Sequence, residues 1–75
     1  MKKKILITGG GGFIGGHLAN FYHKKGFKVT CVDLKKKSLW FQVNPKIKNI
    51  VADCRDPLVC DRITKNVDYV FNLAC

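Results

Sequence analysis

The stretch ITGGGGFIGGHLAN, residues 7–20, holds six of the chain's seven glycines, all of them between Gly9 and Gly16. Glycine is the costliest residue to order on folding, so this concentration needs a reason. Residues 4–8, KILIT, come directly before the glycines and have apolar side chains at consecutive positions, which is typical of a strand covered on both faces. After the glycines, apolar residues recur at helical spacing, at Ile14, Leu18 and either Phe21 or Tyr22. Gly26 stands where a helix would end. The glycines are therefore predicted to form a tight turn between a first strand and a first helix.

Three further strands are predicted, at residues 27–34, 47–54 and 67–75. Residues 35–46 are ambiguous, because a single helical turn could form around Leu39, Trp40 and Val43. A second helix is predicted from an N-cap and an N-terminal proline followed by a modest apolar stripe, at Asp56, Pro57, Val59 and Ile63.

The resulting order is β-α-β-(α)-β-α-β, which indicates an α/β fold with a doubly wound parallel sheet. The usual strand order for such a sheet is 3-2-1-4. The fourth strand would then be an apolar edge carrying Tyr69, Val70, Phe71 and Leu73, through which chains could associate.

Glycines between a strand and a helix let the backbone approach a phosphate, while the helix N-terminus offers free N–H groups and a positive dipole end. Two registers fit the dinucleotide fingerprint, G-x-G-x-x-G from Gly10 and T-G-x-x-G-x-x-G from Gly9, and they share Gly12 and Gly15. Asp33, 21 residues after Gly12, stands where a carboxylate would accept from the adenosine ribose. The structural alternative is a plain glycine turn and an aspartate that caps the next turn.

These residues resemble the NAD-dependent epimerase/dehydratase family of extended short-chain dehydrogenases/reductases. Further matches are VTCVDL with Asp33, VADCRD with Asp53, and VDYVFNLAC with residues 72–74. Within the family, the last segment and the region of the second helix look most similar to nucleotide-sugar enzymes of the GDP-mannose 3,5-epimerase type.

The resemblance implies the N-terminal part of an NAD(P)-binding Rossmann domain over residues 1–75. It also implies that Asp53 and the backbone of Cys54 contact the adenine, and that the end of the fourth strand lines the cofactor. The cofactor-binding residues are then Gly9, Gly10, Gly12, Phe13, Ile14, Gly15, Asp33, Asp53, Cys54, Leu73 and Ala74. NAD is expected rather than NADP, because Asp33 would repel a 2′-phosphate, although Lys35, Lys36 and Lys37 could offset that repulsion.

Catalysis in the family depends on a Tyr-x-x-x-Lys pair that this sequence lacks. The residue four positions after Tyr22 is Gly26, and the residue four positions after Tyr69 is Leu73. No catalytic residue is therefore predicted, and a nucleotide sugar would be a partner only of a complete enzyme. The resemblance implies the N-terminal portion of such an enzyme, as a fragment, a truncated reading frame or one piece of a split protein. The alternatives are a stand-alone dinucleotide-binding regulatory module and a basic polyanion binder.

The formal net charge is +9, with lysine clusters at residues 2–4, 24–25 and 35–37. A basic surface attracts polyanions. The clusters lack interleaved aromatic residues, however. We therefore expect the lysines to lie at solvent-exposed ends of helices and strands, and nucleic acid is not the expected natural ligand.

The four cysteines, Cys31, Cys54, Cys60 and Cys75, have no metal-binding spacing, so no metal site is expected. No export signal is recognised, because the apolar run after the N-terminal lysines is too short. Reduced thiols and a cytoplasmic location are therefore expected, with Cys31 as a core residue. No run approaches the ~20 apolar residues of a membrane span.

Overall fold

Strands and helices alternate along the chain in a computed structural model, which describes residues 2–74. The elements are β1 Lys4–Thr8, α1 Phe13–Lys24, β2 Lys28–Asp33, a 3-10 turn Lys37–Leu39, β3 Lys48–Val51, α2 Pro57–Ile63 and β4 Tyr69–Asn72. All three strand pairings are parallel, and the strand order is β3-β2-β1-β4. The predicted α/β fold and its 3-2-1-4 order are confirmed.

The core lies around β1, whose side chains are buried on both faces of the sheet. Ile5, Leu6 and Ile7 are each at most 2% exposed. On one side Ile5 and Ile7 pack with Val29 and Cys31 of β2 and with Ala19 of α1. This burial on both faces explains why β1 appears in the sequence as an unbroken apolar run rather than an alternating one.

Helix α1 packs against the core through part of the predicted stripe. Leu18 and Tyr22 are partly buried against the core, whereas Ile14 and Phe21 are 65% and 52% exposed. The fully buried residues of the helix are small, namely Gly15, Gly16 and Ala19. Gly15 lies against the backbone of Gly9 and Gly10, so the start of α1 lies close to the glycine loop.

The helix ends agree with their predicted signals. Gly26 has a φ of +92°, the left-handed conformation that favours glycine after a helix. The Asp56 carboxylate accepts a hydrogen bond from the Leu58 amide at 2.9 Å, which makes Asp56 the N-cap of α2, with Pro57 at the first helical position. The ambiguous segment forms the 3-10 turn, and Trp40 after it is buried in the core.

Strands β3 and β4 are shorter than their predicted ranges of 47–54 and 67–75. The chain leaves β3 after Val51, because Asp53 begins a turn in which its carbonyl accepts from the Asp56 amide at 3.1 Å. Cys75, predicted as the last residue of the fourth strand and as a reduced thiol, lies outside the described residues.

The thiols of the described residues are free, at Cys31, Cys54 and Cys60. Cys31 is 2% exposed in the core, as predicted, and burial raises the pKa of its thiol to about 11. Among residues 2–74 no group of His, Cys and Asp side chains has the arrangement of a metal site. Over the same range, no helix combines the length and the hydropathy that a membrane crossing needs.

Candidate cofactor site

A cleft of about 380 Å³ lies at the carboxyl ends of the parallel strands. In open α/β sheets this is the edge at which ligands bind. Seven of the predicted cofactor residues line it, namely Gly9, Gly12, Asp33, Asp53, Cys54, Leu73 and Ala74. The other lining residues are Val32, Leu34, Lys35, Ala52 and Arg55. The fold thus brings together residues from four separate segments of the chain.

The glycine loop is fixed to the end of β2 by backbone hydrogen bonds. The Gly9 and Gly10 amides both donate to the Val32 carbonyl, at 2.8 and 3.1 Å. Gly9 has a φ of +77°, and a Cβ there would lie 2.8 Å from the Leu73 carbonyl carbon. A Cβ at Gly15 would overlap the Gly9 carbonyl oxygen. Gly9 and Gly15 are therefore needed by the fold itself.

Gly12 differs from these glycines, because the protein leaves space around it. A Cβ there would meet only the Gly9 carbonyl oxygen, at an ordinary contact distance of 3.4 Å. Gly12 is the N-cap of α1 and lines the cleft. The first N–H groups of a helix have no acceptor within it, so the amides that follow Gly12 can donate to an anion.

The other predicted loop residues lie around the cleft without lining it. Gly10 packs against Cys31, where a Cβ would come within 2.5 Å of that side chain. Phe13 and Ile14 form the first turn of α1, with side chains 56% and 65% exposed. Neither side chain lines the cleft, so a cofactor contact from Phe13 or Ile14 would come from the backbone amide.

Asp33 ends β2 and holds the glycine loop and its own turn together. One carboxylate oxygen accepts from the Gly11 amide at 2.9 Å, and the other accepts from the Lys35 amide at 3.1 Å. A carboxylate oxygen has two lone pairs, so each oxygen retains capacity for a ligand hydroxyl. Asp33 therefore caps the turn after β2, which is the structural role considered as an alternative in the sequence analysis. It also faces the cleft, where it can bind a ligand.

Asp53 forms an ion pair with Arg55 at the other side of the cleft. The guanidinium Nη2 lies 2.9 Å from one carboxylate oxygen, and Nε lies 3.0 Å from the other. The Arg55 amide also donates to Asp53, at 2.9 Å. These hydrogen bonds, the side-chain ones first, hold the pKa of Asp53 below its ordinary value.

We expect Arg55→Ala to raise the pKa of Asp53 toward its ordinary value of about 3.9, because only the backbone hydrogen bond would remain. The carboxyl carbon shift of Asp53 in an NMR titration measures this change. Because the pKa is lowered in the folded state, the pair's contribution to stability is present near neutral pH and is lost as the carboxyl protonates in acid. Arg62→Ala, which removes an equal charge from α2, should leave the pKa of Asp53 unchanged. An unchanged value in Arg55→Ala would contradict this assignment.

The end of β4 completes the cleft through contacts with β1 and the glycine loop. The Leu73 amide donates to the Thr8 carbonyl at 3.0 Å. The Thr8 hydroxyl donates to the Asn72 side-chain oxygen at 2.6 Å. Leu73 and Ala74 are thereby held against Gly9 at the edge of the cleft.

Three residues around the site are not among the predicted cofactor-binding residues. Arg55 lines the cleft and pairs with Asp53. Trp40 donates from its ring N–H to the Lys35 carbonyl at 2.8 Å, and the Phe41 amide donates to the Gly11 carbonyl at 2.8 Å. Trp40 and Phe41 thus fold the loop after β2 over the glycine loop. The only sequence signal for Trp40 and Phe41 is that these aromatic residues stand in a segment that begins with three lysines.

The sequence of this chain is similar to those of a known family and of several known enzymes. The model of the NAD-dependent epimerase/dehydratase family matches residues 5–75. A UDP-N-acetyl-alpha-D-glucosaminuronate decarboxylase from Bacillus cytotoxicus is 42% identical over 77 residues, covering 99% of this chain and 24% of the relative. GDP-mannose 3,5-epimerase 1 of Oryza sativa subsp. indica is 37% identical over 73 residues, covering 97% of this chain and 19% of the relative.

Among solved structures, the UDP-glucose 4-epimerase of Thermus thermophilus in complex with NAD superposes with a TM-score of 0.78 and 26% identity. That match covers 96% of this chain and 24% of the solved one. The chain therefore spans about a fifth to a quarter of the length of these proteins.

Proposed function

Because the chain belongs to the NAD-dependent epimerase/dehydratase family, as its sequence predicts, we propose that it is the NAD-binding portion of an enzyme acting on nucleotide sugars. The observation that carries the proposal is the cleft at the carboxyl ends of β1 and β2, which combines an open backbone at Gly12 with a carboxylate at Asp33. Support also comes from the Thermus thermophilus relative, which was solved with NAD.

The residues present fit a dinucleotide. A Cβ at Gly12 would extend into the cleft rather than into the protein, so the absence of a side chain leaves space for a ligand. The amides at the start of α1 would hold the pyrophosphate, and Asp33 would accept from the adenosine ribose. Asp53 and the Cys54 backbone would contact the adenine, while Leu73 and Ala74 would line the cofactor. When bound, NAD would supply a hydride acceptor beside the sugar.

The Asp53–Arg55 pair bears on the adenine contact. Arg55 donates to one Asp53 oxygen, Oδ1, from both its amide and its Nε, at 2.9 and 3.0 Å. The other oxygen, Oδ2, accepts from Nη2 at 2.9 Å and has only a longer second contact, 3.3 Å from Nε, so Oδ2 is the oxygen that can still accept from an adenine amino group. Arg55 would then act as a positioning residue that fixes the orientation of the Asp53 carboxylate.

We propose that Asp33 determines the choice of cofactor and favours NAD over NADP. The carboxylate accepts from free ribose hydroxyls and repels a 2′-phosphate. Lys35 also lines the cleft and would offset part of that repulsion. We therefore expect a preference for NAD of about tenfold, or about 1.4 kcal/mol.

We expect Asp33→Asn to weaken NAD binding and to remove most of this preference. The amide oxygen can still accept from the Gly11 amide, so the loop keeps its anchor while the charge is lost. Isothermal titration with NAD and NADP measures both affinities. Asp61→Asn on α2, which removes an equal charge from an exposed position, is the matched control. An unchanged ratio of affinities in Asp33→Asn would refute the role of Asp33.

We further propose that this portion is catalytically incomplete. Neither Tyr22 nor Tyr69 has a lysine four positions later, so neither can act with the lysine-assisted chemistry that the family resemblance implies. The relatives include a decarboxylase and an epimerase. The type of reaction and the sugar substrate would therefore be determined by the parts of such enzymes that this chain does not cover. A Tyr-x-x-x-Lys motif in a continuation of the reading frame would support this proposal. A gene product that turns over a nucleotide sugar without such a motif would contradict it.

A further inference from the structure

The amino-terminal end of the sheet, opposite the cofactor cleft, carries a concentration of positive charge. Two grooves of about 500 and 370 Å³ lie there, and they share Lys2 and Phe27 in their linings. The lysines that line one or both grooves are all exposed and form what we term the basic face, namely Lys2, Lys3, Lys25, Lys28, Lys46 and Lys48.

The fold assembles this face from separate parts of the sequence. Because β1, β2 and β3 are parallel, their amino ends lie at the same edge of the sheet. The Lys28 amide donates to the Lys3 carbonyl at 2.9 Å, which fixes the N-terminal segment beside β2. Lys48 begins β3 on the other side of β2. Lysines that are far apart in the sequence therefore lie at the same edge of the sheet.

The positive charge of the basic face is only partly offset by the protein. Within residues 2–74, neither groove has an aspartate in its lining. The Asp68 carboxylate lies at the same edge of the sheet, where it accepts from the Lys4 amide at 2.7 Å, and it is a single negative charge beside six lysines. Neighbouring strands are about 4.8 Å apart, which is less than the screening length of about 8 Å at physiological salt. The lysines therefore repel one another, and a bound polyanion would relieve that repulsion.

We propose that the basic face binds the phosphate backbone of single-stranded nucleic acid. A flexible strand can follow two adjoining grooves, and Phe27, whose ring is partly buried against Tyr22 and the core, lies where they meet. A lipid surface fits less well, because an interfacial helix carries basic and apolar residues along its whole length. On α1, the exposed apolar residues Phe13, Ile14 and Phe21 line neither groove, although the Lys25 ammonium lies 5.3 Å from the centre of the Phe21 ring.

The test is fluorescence anisotropy of a labelled oligouridine of about 12 nucleotides, titrated with the 75-residue chain at protein concentrations where light scattering detects no aggregate. If about four phosphates are neutralised, the affinity should fall about 50-fold between roughly 50 and 200 mM salt. Saturating NAD should leave the affinity unchanged, because the cofactor cleft is at the opposite edge of the sheet. Competition by NAD would place the oligonucleotide in the cleft and overturn the proposal.

Two matched double variants locate the binding. Lys28→Gln/Lys48→Gln should weaken oligouridine binding at least about fivefold and reduce the salt slope by about 1.4. Lys36→Gln/Lys37→Gln removes the same number of charges from exposed positions after β2, at the opposite edge of the sheet, and should change the affinity less than about twofold. Circular dichroism checks that both variants fold. Equal losses in the two variants, or tighter binding to phosphatidylserine vesicles than to oligouridine, would overturn the proposal.

Discussion

We expect Gly12→Val to abolish NAD binding by the chain, with a loss of at least about 100-fold in affinity, or about 2.7 kcal/mol. A side chain at this position has space within the protein, since the Cβ would meet only the Gly9 carbonyl oxygen at 3.4 Å. It would instead occupy the cleft where the pyrophosphate is proposed to lie. Isothermal titration measures the affinity, and circular dichroism should show secondary structure like that of the unaltered chain.

Gly15→Val provides the contrast, because its Cβ would overlap the Gly9 carbonyl oxygen within the loop. This variant should lose stability as well as binding, whereas Gly12→Val should lose binding alone. Gly12→Ala, with a single methyl group in the cleft, should fall between Gly12→Val and the unaltered chain. Undiminished NAD affinity in a folded Gly12→Val variant would refute the proposed pyrophosphate position.

We expect the 75-residue chain to associate through the open edge of β4. Within the described residues β4 pairs only with β1, and its Tyr69 and Val70 are 50% and 51% exposed. An apolar strand edge is a template for pairing with another chain. The opposite edge strand, β3, begins with Lys48, a charge of the kind that discourages such pairing.

Val70→Lys should shift the chain from associated species toward monomer, because it places a charge on the β4 edge. Sedimentation velocity at micromolar concentration measures the distribution of species. Leu58→Lys makes an equal change in charge at a side chain that is 73% exposed on α2, and it should leave association unchanged. A monomeric unaltered chain, or equal effects of the two substitutions, would contradict an edge-mediated association.

The fold could be predicted from the sequence because its strands and turns carry strong local signals. The bounds of β1 at Lys4–Thr8 follow from an apolar run that ends at a glycine cluster. The strand order follows from alternating strands and helices, since parallel crossovers leave few arrangements. The N-cap at Asp56 followed by Pro57 is a signal contained in two residues, and it held in the structure.

The parts that could not be predicted depend on tertiary contacts. The burial of Trp40 results from the path of an irregular loop that has no periodicity to interpret. The exposure of Ile14 accompanies the close approach of α1 to the glycine loop at Gly15, a contact that a search for large apolar residues overlooks. The pairing of Arg55 with Asp53 required knowledge of a turn that ends β3 early.

The central claim is that the cleft at the carboxyl ends of the strands holds NAD, and amide chemical-shift mapping tests it most directly. On addition of NAD to the isotope-labelled chain, we predict shifts at the amides of Gly9, Gly12, Phe13, Asp33 and Cys54. The amides of the basic face should stay unchanged. Shifts confined to the amino-terminal end of the sheet, or no shifts at saturating NAD in a folded sample, would contradict the claim.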